Sequence, residues 1–252
     1  MLAYYSVAAA QEFWNDHWGG QTLDELLAIA RRSPLTSLVT GALPANGLVL
    51  EAGCGLGQYV VLLRERGWRA VGVDWSVDAV ATARKTAEAP LAAAELTALP
   101  LRDGAAAAYV SLGVVEHDPS GPDAILAEAR RVLAPGGALV VSTPYLRLRA
   151  RVAARRGAAF YQFAFTRGEL LAALRRHGFT PRSVHPYDPA RVLLKVLPAA
   201  WRRRLRGAAA PTTATTRASA SRSVKGWVRG LLYTDPALRL FGHMVLVVAQ
   251  RR

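Results

Sequence analysis

A chain of 252 residues, 52% hydrophobic and 20% charged, can bury the core of one sizeable α/β domain with elaborations and is too apolar for global disorder. Its single cysteine, Cys54, excludes an internal disulfide and a multi-cysteine zinc site, and no apolar run approaches the roughly 20 residues that span a bilayer. The net charge of +14 is divided: residues 1–146 hold 10 Lys+Arg against 15 Asp+Glu, a net −5, whereas residues 147–252 hold 22 against 3, a net +19. A basic part of that kind suits an anionic surface or substrate, or is a plain arginine-rich solvated face. Met1–Ala10 lack the basic and apolar regions of a secretory signal, so a cytoplasmic protein is expected.

In chain order, the aromatic N-terminus (Tyr4, Tyr5, Phe13, Trp14, His17, Trp18) reads either as a lid or as core packing. The capping-box pattern Thr22-Leu-Asp-Glu25 predicts a helix to about Arg32, and residues 1–44 are taken together as a helical cap. From Gly47 short apolar runs alternate with helical stretches. Leu48–Leu50 reads as a strand, a glycine loop follows, a helix runs to Arg66, and a second strand covers Ala70–Val73. Ser76 then caps a helix to about Glu88, a strand lies near Leu91–Ala94 and another at Ala108–Leu112. Pro122 opens a helix to Leu133, Pro135-Gly136-Gly137 reads as a turn, and Ala138–Ser142 as a strand. A capping box at Thr166–Glu169 starts a helix ending at His177-Gly178, a strand fits Arg182–Pro186, and the last runs from Met244 to Ala249. Continuous apolar strands between helices predict a doubly wound, mostly parallel α/β sheet. Residues 45–187 plus 243–252 are assigned to this domain and 188–242 to a basic insertion, with a flexible Ala/Thr/Ser/Arg-rich loop near 208–223.

The informative segment is Leu48-Val-Leu-Glu-Ala-Gly-Cys-Gly-Leu-Gly57. Gly53, Gly55 and Gly57 allow tight turning and close ligand approach, and the helix N-terminus after them offers free N–H groups. The G-x-G-x-G spacing, preceded by Glu51, differs from the G-x-G-x-x-G of a dinucleotide loop and favours an amino-acid carboxylate over a pyrophosphate. Seventeen positions after Gly57 the next strand ends in Asp74, suited to a ribose, and Trp75 beside it could stack on an adenine. Cys54 reads as a small buried filler.

Glu51-Ala-Gly-Cys-Gly-Leu-Gly57, Val73-Asp-Trp-Ser76, Glu95-Leu-Thr-Ala-Leu-Pro-Leu101, Ser111-Leu-Gly-Val-Val-Glu-His117 and Arg131-Val-Leu-Ala-Pro-Gly-Gly137 resemble, in order, the motifs of class I S-adenosylmethionine-dependent methyltransferases. The likeness is to the ubiquinone/menaquinone-biosynthesis type and related small-molecule enzymes, over roughly residues 45–180. It implies a Rossmann-like sheet with an antiparallel last strand, S-adenosyl-L-methionine as donor, and methyl transfer to O, N or C of a small or lipid-linked acceptor. By position, Glu51, Gly53, Gly55 and Gly57 would lie by the methionine part and Asp74 by the ribose. Trp75 or Ser76 would flank the adenine, Glu95 with the Leu96 backbone N–H would read its amino edge, and Glu116 and His117 would border the transfer site, with His117 the candidate base. One departure is Ala107, where the family pattern has an aspartate before the strand.

A non-catalytic protein of this fold that uses its basic region for a partner or membrane is the alternative; a nicotinamide oxidoreductase is disfavoured by the loop spacing. Arg191–Arg206 mixes leucines, Trp201 and arginines as a membrane-surface helix would, so peripheral contact with an anionic inner membrane face stays open beside an ordinary basic cover. Nucleic acid is disfavoured because no recognised binding module accompanies the charge, and no metal site is expected.

Overall fold

A computed structural model describes residues 1–87, 89–146, 159–188 and 242–252. The chain divides into two units, Met1–His185 with Val245–Arg252, and Pro186–Met244. Of the second unit the described residues are few; there the His243 amide donates to the carbonyls of Tyr187 and Asp188. The stretches singled out at 147–156, 191–206 and 208–223 lie outside the described residues.

The first unit opens with strand β1 (Leu2–Ser6) and helices α1 (Gln11–Gly19), α2 (Leu23–Arg32) and α3 (Pro34–Ala42). Thr22 caps α2 by accepting the Glu25 N–H, and Ser33 caps α3, whose first residue is Pro34. There follow β2 (Leu48–Ala52), α4 (Gln58–Glu65), β3 (Arg69–Asp74), α5 (Val77–Thr86), β4 (Leu91–Ala93), β5 (Ala106–Leu112), α6 (Asp123–Val132) and β6 (Leu133–Pro144). The described elements end with β7 (Ala159–Ala164), α7 (Arg167–Arg176), β8 (Phe179–Tyr187) and β9 (Met244–Arg251). The seven-stranded sheet has the order β4-β3-β2-β5-β6-β9-β8, with β2, β3, β4, β5 and β6 paired in parallel and an antiparallel last strand. The α/β expectation therefore holds.

The sheet's continuous apolar strands are buried on both faces. Val49 and Leu50 on β2 and Val140 and Val141 on β6 have no exposed surface, and Leu126, Leu139, Leu170 and Phe179 pack in one large cluster with Leu50 and Tyr109. Each such side chain contributes about 1.5–3 kcal/mol by leaving water, and this rigid middle fixes where the strand ends project. Ser76 accepts the Ala79 N–H as the cap of α5, and Thr166 with Glu169 forms a full capping box on α7.

Three local expectations are corrected. The N-terminal region is not purely helical: β1 pairs antiparallel with β7, from Leu2↔Ala164 to Ser6↔Ala159, so two separate aromatic segments form one ribbon. Pro135-Gly136-Gly137 is not a turn between elements but lies inside the twelve-residue β6. The register jumps from Ala106↔Leu133 to Ala108↔Ala138, so the segment is a bulge, with Gly136 at φ +75° where a side chain would be strained. Pro122 precedes α6 as its N-cap rather than standing inside it. No described helix is long and apolar enough to cross a membrane.

Candidate active site

The site is built where β2, β3 and β5 end, at the carboxyl edge of the sheet, the usual ligand edge of open α/β folds. β2 delivers Glu51 and then the loop Gly53–Gly57. All three glycines have positive φ: +79°, +54° and +78°. At Gly53 a Cβ would meet Val114 at 2.3 Å, and at Gly55 it would meet the indole of Trp18 at 2.5 Å, so side chains are excluded on steric as well as conformational grounds. The Gly53 and Cys54 amides donate to the Val73 carbonyl at 2.7 and 3.1 Å, fastening the loop to the end of β3. Cys54 is buried, with its thiol pushed well up by burial and then by the charges of Glu51 and Asp74.

Asp74, last residue of β3, accepts the Gly55 N–H on one carboxylate oxygen at 2.6 Å and the Ser76 N–H on the other at 2.8 Å. It is 7% exposed; burial raises its pKa, and the N–H groups of Ser76, Gly55 and Trp75 oppose that rise. Glu51 is 3% exposed and its Oε2 has no partner among the described residues. Burial pushes its carboxyl well above the usual range, the Asp74 charge adds to this, and the Val60 amide opposes it. Trp75 is exposed beside Asp74, Glu95 is exposed in the turn after β4, and Leu96 is buried against the core.

After β5 the turn Val114–His117 carries three functions on adjacent positions. Val114 covers Gly53, Glu116 is buried, and His117 meets the N-terminal region. The Oε2 of Glu116 has no described partner, and burial pushes its carboxyl up to about 8. His117 Nδ1 lies 2.8 Å from the Tyr161 carbonyl oxygen. A carbonyl can only accept, so Nδ1 carries the hydrogen and Nε2 is left with the lone pair. Burial lowers the imidazole pKa, the Tyr161 carbonyl opposes this, and His17 lowers it further, which keeps the ring neutral near pH 7.

Helix α1 lies over this edge. Its Gln11 amide donates to the Trp75 carbonyl at 2.8 Å, and its Asn15 carbonyl oxygen accepts the Ser76 hydroxyl at 2.6 Å. Its rings close an aromatic cluster: Trp14 is 4.8 Å from His117 by ring centroids, Phe13 is 5.7 Å from Tyr161, and Tyr161 is 5.1 Å from His117. The residues named from sequence thus fall into two groups. Glu51, Gly53, Gly55, Gly57, Asp74 and Trp75 gather along β2 and β3, while Glu116 and His117 follow β5; Glu95 and Leu96 follow β4. Sequence reading missed Gln11, Asn15 and the Tyr161 carbonyl as parts of the site. They act through packing and backbone groups across 44 to 64 positions and leave no local motif.

Ala107 leaves no defect at the start of β5. Arg131 donates to the carbonyls of Leu99 and Leu101 and pairs with Asp103 and Glu128, whose own carboxylate accepts the Leu99 N–H at 2.6 Å. Ala107 instead fits against Gly47, where a Cβ would come within 2.4 Å of its methyl.

Residues 50–141 match the family model described as a methyltransferase domain. A probable S-adenosylmethionine-dependent methyltransferase of Mycolicibacterium smegmatis is 36% identical over 97 residues, 38% of this chain and 37% of that protein. Demethylmenaquinone methyltransferase of Thermus thermophilus is 37% identical over 100 residues, 37% of this chain and 45% of that protein. The chain spans less than half the length of the curated relatives it matches. Among solved structures, geranyl diphosphate C-methyltransferase of Streptomyces coelicolor, with S-adenosyl-L-homocysteine bound, aligns with a TM-score of 0.61 at 17% identity, covering 98% of this chain and 100% of that one. Sheet order, glycine loop and acidic strand end agree with the match: residues 50–141 carry a methyltransferase domain, similar to those of S-adenosylmethionine-dependent methyltransferases.

Proposed function

We propose that the protein transfers the methyl group of S-adenosylmethionine to a small-molecule acceptor. The observation that carries this reading is the closure of the glycine loop on Asp74, with the Gly55 N–H on its carboxylate at 2.6 Å, at the end of two neighbouring strands. Orphaned, buried carboxylate oxygens on Glu51 and Glu116 fit a ligand bearing cationic groups, and the buried Asp74 fits one bearing hydroxyls. The bound donor supplies a methyl group already activated on a sulfonium. The chain's own residues therefore bind, orient and exclude water.

In this reading Gly53, Gly55 and Gly57 with Glu51 hold the methionine part, Asp74 the ribose, and Trp75, Glu95 and Leu96 the adenine. Glu116 borders the transfer site. His117, neutral and with Nε2 available, takes the proton of an acceptor hydroxyl or amine. Residues 1–44 serve as the lid, α1 covering the loop. A lipid-linked acceptor, with the basic 188–242 segment against an anionic membrane face, is the finer reading that the +19 charge of residues 147–252 supports.

Calorimetric titration with S-adenosylmethionine, S-adenosylhomocysteine and NADH tests the donor assignment. Micromolar binding of both adenosyl ligands and none of NADH is expected. Asp74→Ala removes charge-assisted bonds and should weaken donor binding by roughly 1.5–3 kcal/mol, about 10- to 150-fold. Unchanged affinity in that variant refutes the placement of the ribose.

A further inference from the structure

Resting on that donor-site reading, we propose that Glu51 holds a proton in the donor-free protein and releases it to solvent when S-adenosylmethionine binds. Glu51 and Asp74 stand on neighbouring parallel strands, Glu51 in register with Gly72 two positions before Asp74, and both are buried. Ionising both of two buried carboxyls, one of which raises the pKa of the other, is disfavoured, and the pair keeps one proton.

Hydrogen bonding decides which member keeps it. Asp74 receives N–H donors on both oxygens, from Gly55 and Ser76. Glu51 is opposed only by the Val60 amide and has an orphaned Oε2. Among the described residues, the groups facing it offer no cation: Asp74 from β3, the Cys54 thiol from the loop, and the Tyr59 hydroxyl from α4, which is itself bonded to Thr36. Arg66 acts on Tyr59 rather than on Glu51. Burial, reinforced by Asp74, holds the Glu51 carboxyl well above its ordinary range. Among the described residues, ionised Glu51 therefore lacks a counter-charge until a ligand brings one. The donor carries an ammonium and a sulfonium against one carboxylate. On its arrival the Glu51 O–H bond breaks, the proton passes to buffer, and the carboxylate left behind balances the ligand's net positive charge.

The experiment is calorimetric titration of the full chain at pH 7 in phosphate, HEPES and Tris, whose ionisation enthalpies differ. Wild type should release protons on binding S-adenosylmethionine, up to one per molecule, and its affinity should rise with pH, by at most about tenfold per pH unit, over the range in which the free protein holds that proton. Adenosine, which lacks the charged amino-acid part, should bind with no release. E51Q, isosteric with the protonated acid, should bind saturably and release about one proton fewer than wild type. Saturable binding of the donor without proton release overturns the proposal, as does undiminished release in E51Q or equal release on adenosine binding. If E51Q fails to fold, the wild-type contrast between donor and adenosine decides. Absence of any donor binding to wild type overturns the donor-site reading as well.

Discussion

Gly55→Ala puts the packing of α1 on the glycine loop to a quantitative test. The new methyl group would sit 2.5, 2.6 and 2.8 Å from three atoms of the Trp18 indole, where ordinary contact begins near 3.4 Å. The ring must retreat by about 1 Å, and the helix that carries it is held by Gln11 on the Trp75 carbonyl and Asn15 on Ser76. Overpacking of that kind costs roughly 1–3 kcal/mol. Holding alanine at φ +54° adds roughly 1–2 kcal/mol. In a Trp18→Ala background only the backbone cost remains. A double-mutant cycle should therefore show coupling of about 1–3 kcal/mol, Gly55→Ala being the milder change when Trp18 is absent. Urea unfolding followed by far-ultraviolet circular dichroism measures it without relying on tryptophan emission. An equal cost of Gly55→Ala in both backgrounds would mean that Trp18 does not rest on the loop, and the lid reading would lose its main contact.

Glu116 makes stability depend on pH. Its folded pKa, about 8, lies above its ordinary 4.5, so its contribution is fully present below about pH 4.5 and is lost as pH rises through 8. The loss is at most about 5 kcal/mol, and Glu116→Gln should flatten the urea midpoint between pH 5 and 9; an unchanged slope would show that Glu116 is not a buried acid. His117 is shifted the other way, so its stabilising neutral form is present above pH 6.5 and is lost as pH falls through its lowered pKa. Nitrogen-15 NMR should report the Nδ1–H tautomer at neutral pH, and a ring protonated on both nitrogens at pH 7 would remove it as a base. Arg131→Ala removes the tie between α6 and the Leu99–Asp103 segment, so protease cleavage within 99–103 should accelerate; cleavage at the wild-type rate would show that the Arg131–Glu128 network does not brace β5.

Much of the architecture was readable because its causes are local. The continuous apolar runs at Leu48–Leu50 and Ala138–Ser142 announce buried parallel strands, and Ser76 and Thr166 announce helix starts by the bonds they can make to the next turn. The glycine loop was legible for the same reason, since a run of positive φ demands glycine. The β6 bulge was not, because Pro-Gly-Gly suits a turn equally well and only pairing with β5 decides between them. The β1–β7 ribbon was hidden too: each strand is short, and its partner lies about 160 residues away.

By itself, the sequence determined the parallel sheet and the glycine loop on an acidic strand end, which follow from periodicity and backbone conformation within a few residues, and it carried motifs that resemble those of methyltransferases. Only the tertiary structure decided that α1 lies over Gly55, that Asp74 is bonded to the loop while Glu51 keeps an orphaned oxygen, and that the Tyr161 carbonyl sets the tautomer of His117. Burial, counter-charge and hydrogen-bond supply depend on what distant segments bring to the same point, and no local pattern encodes them.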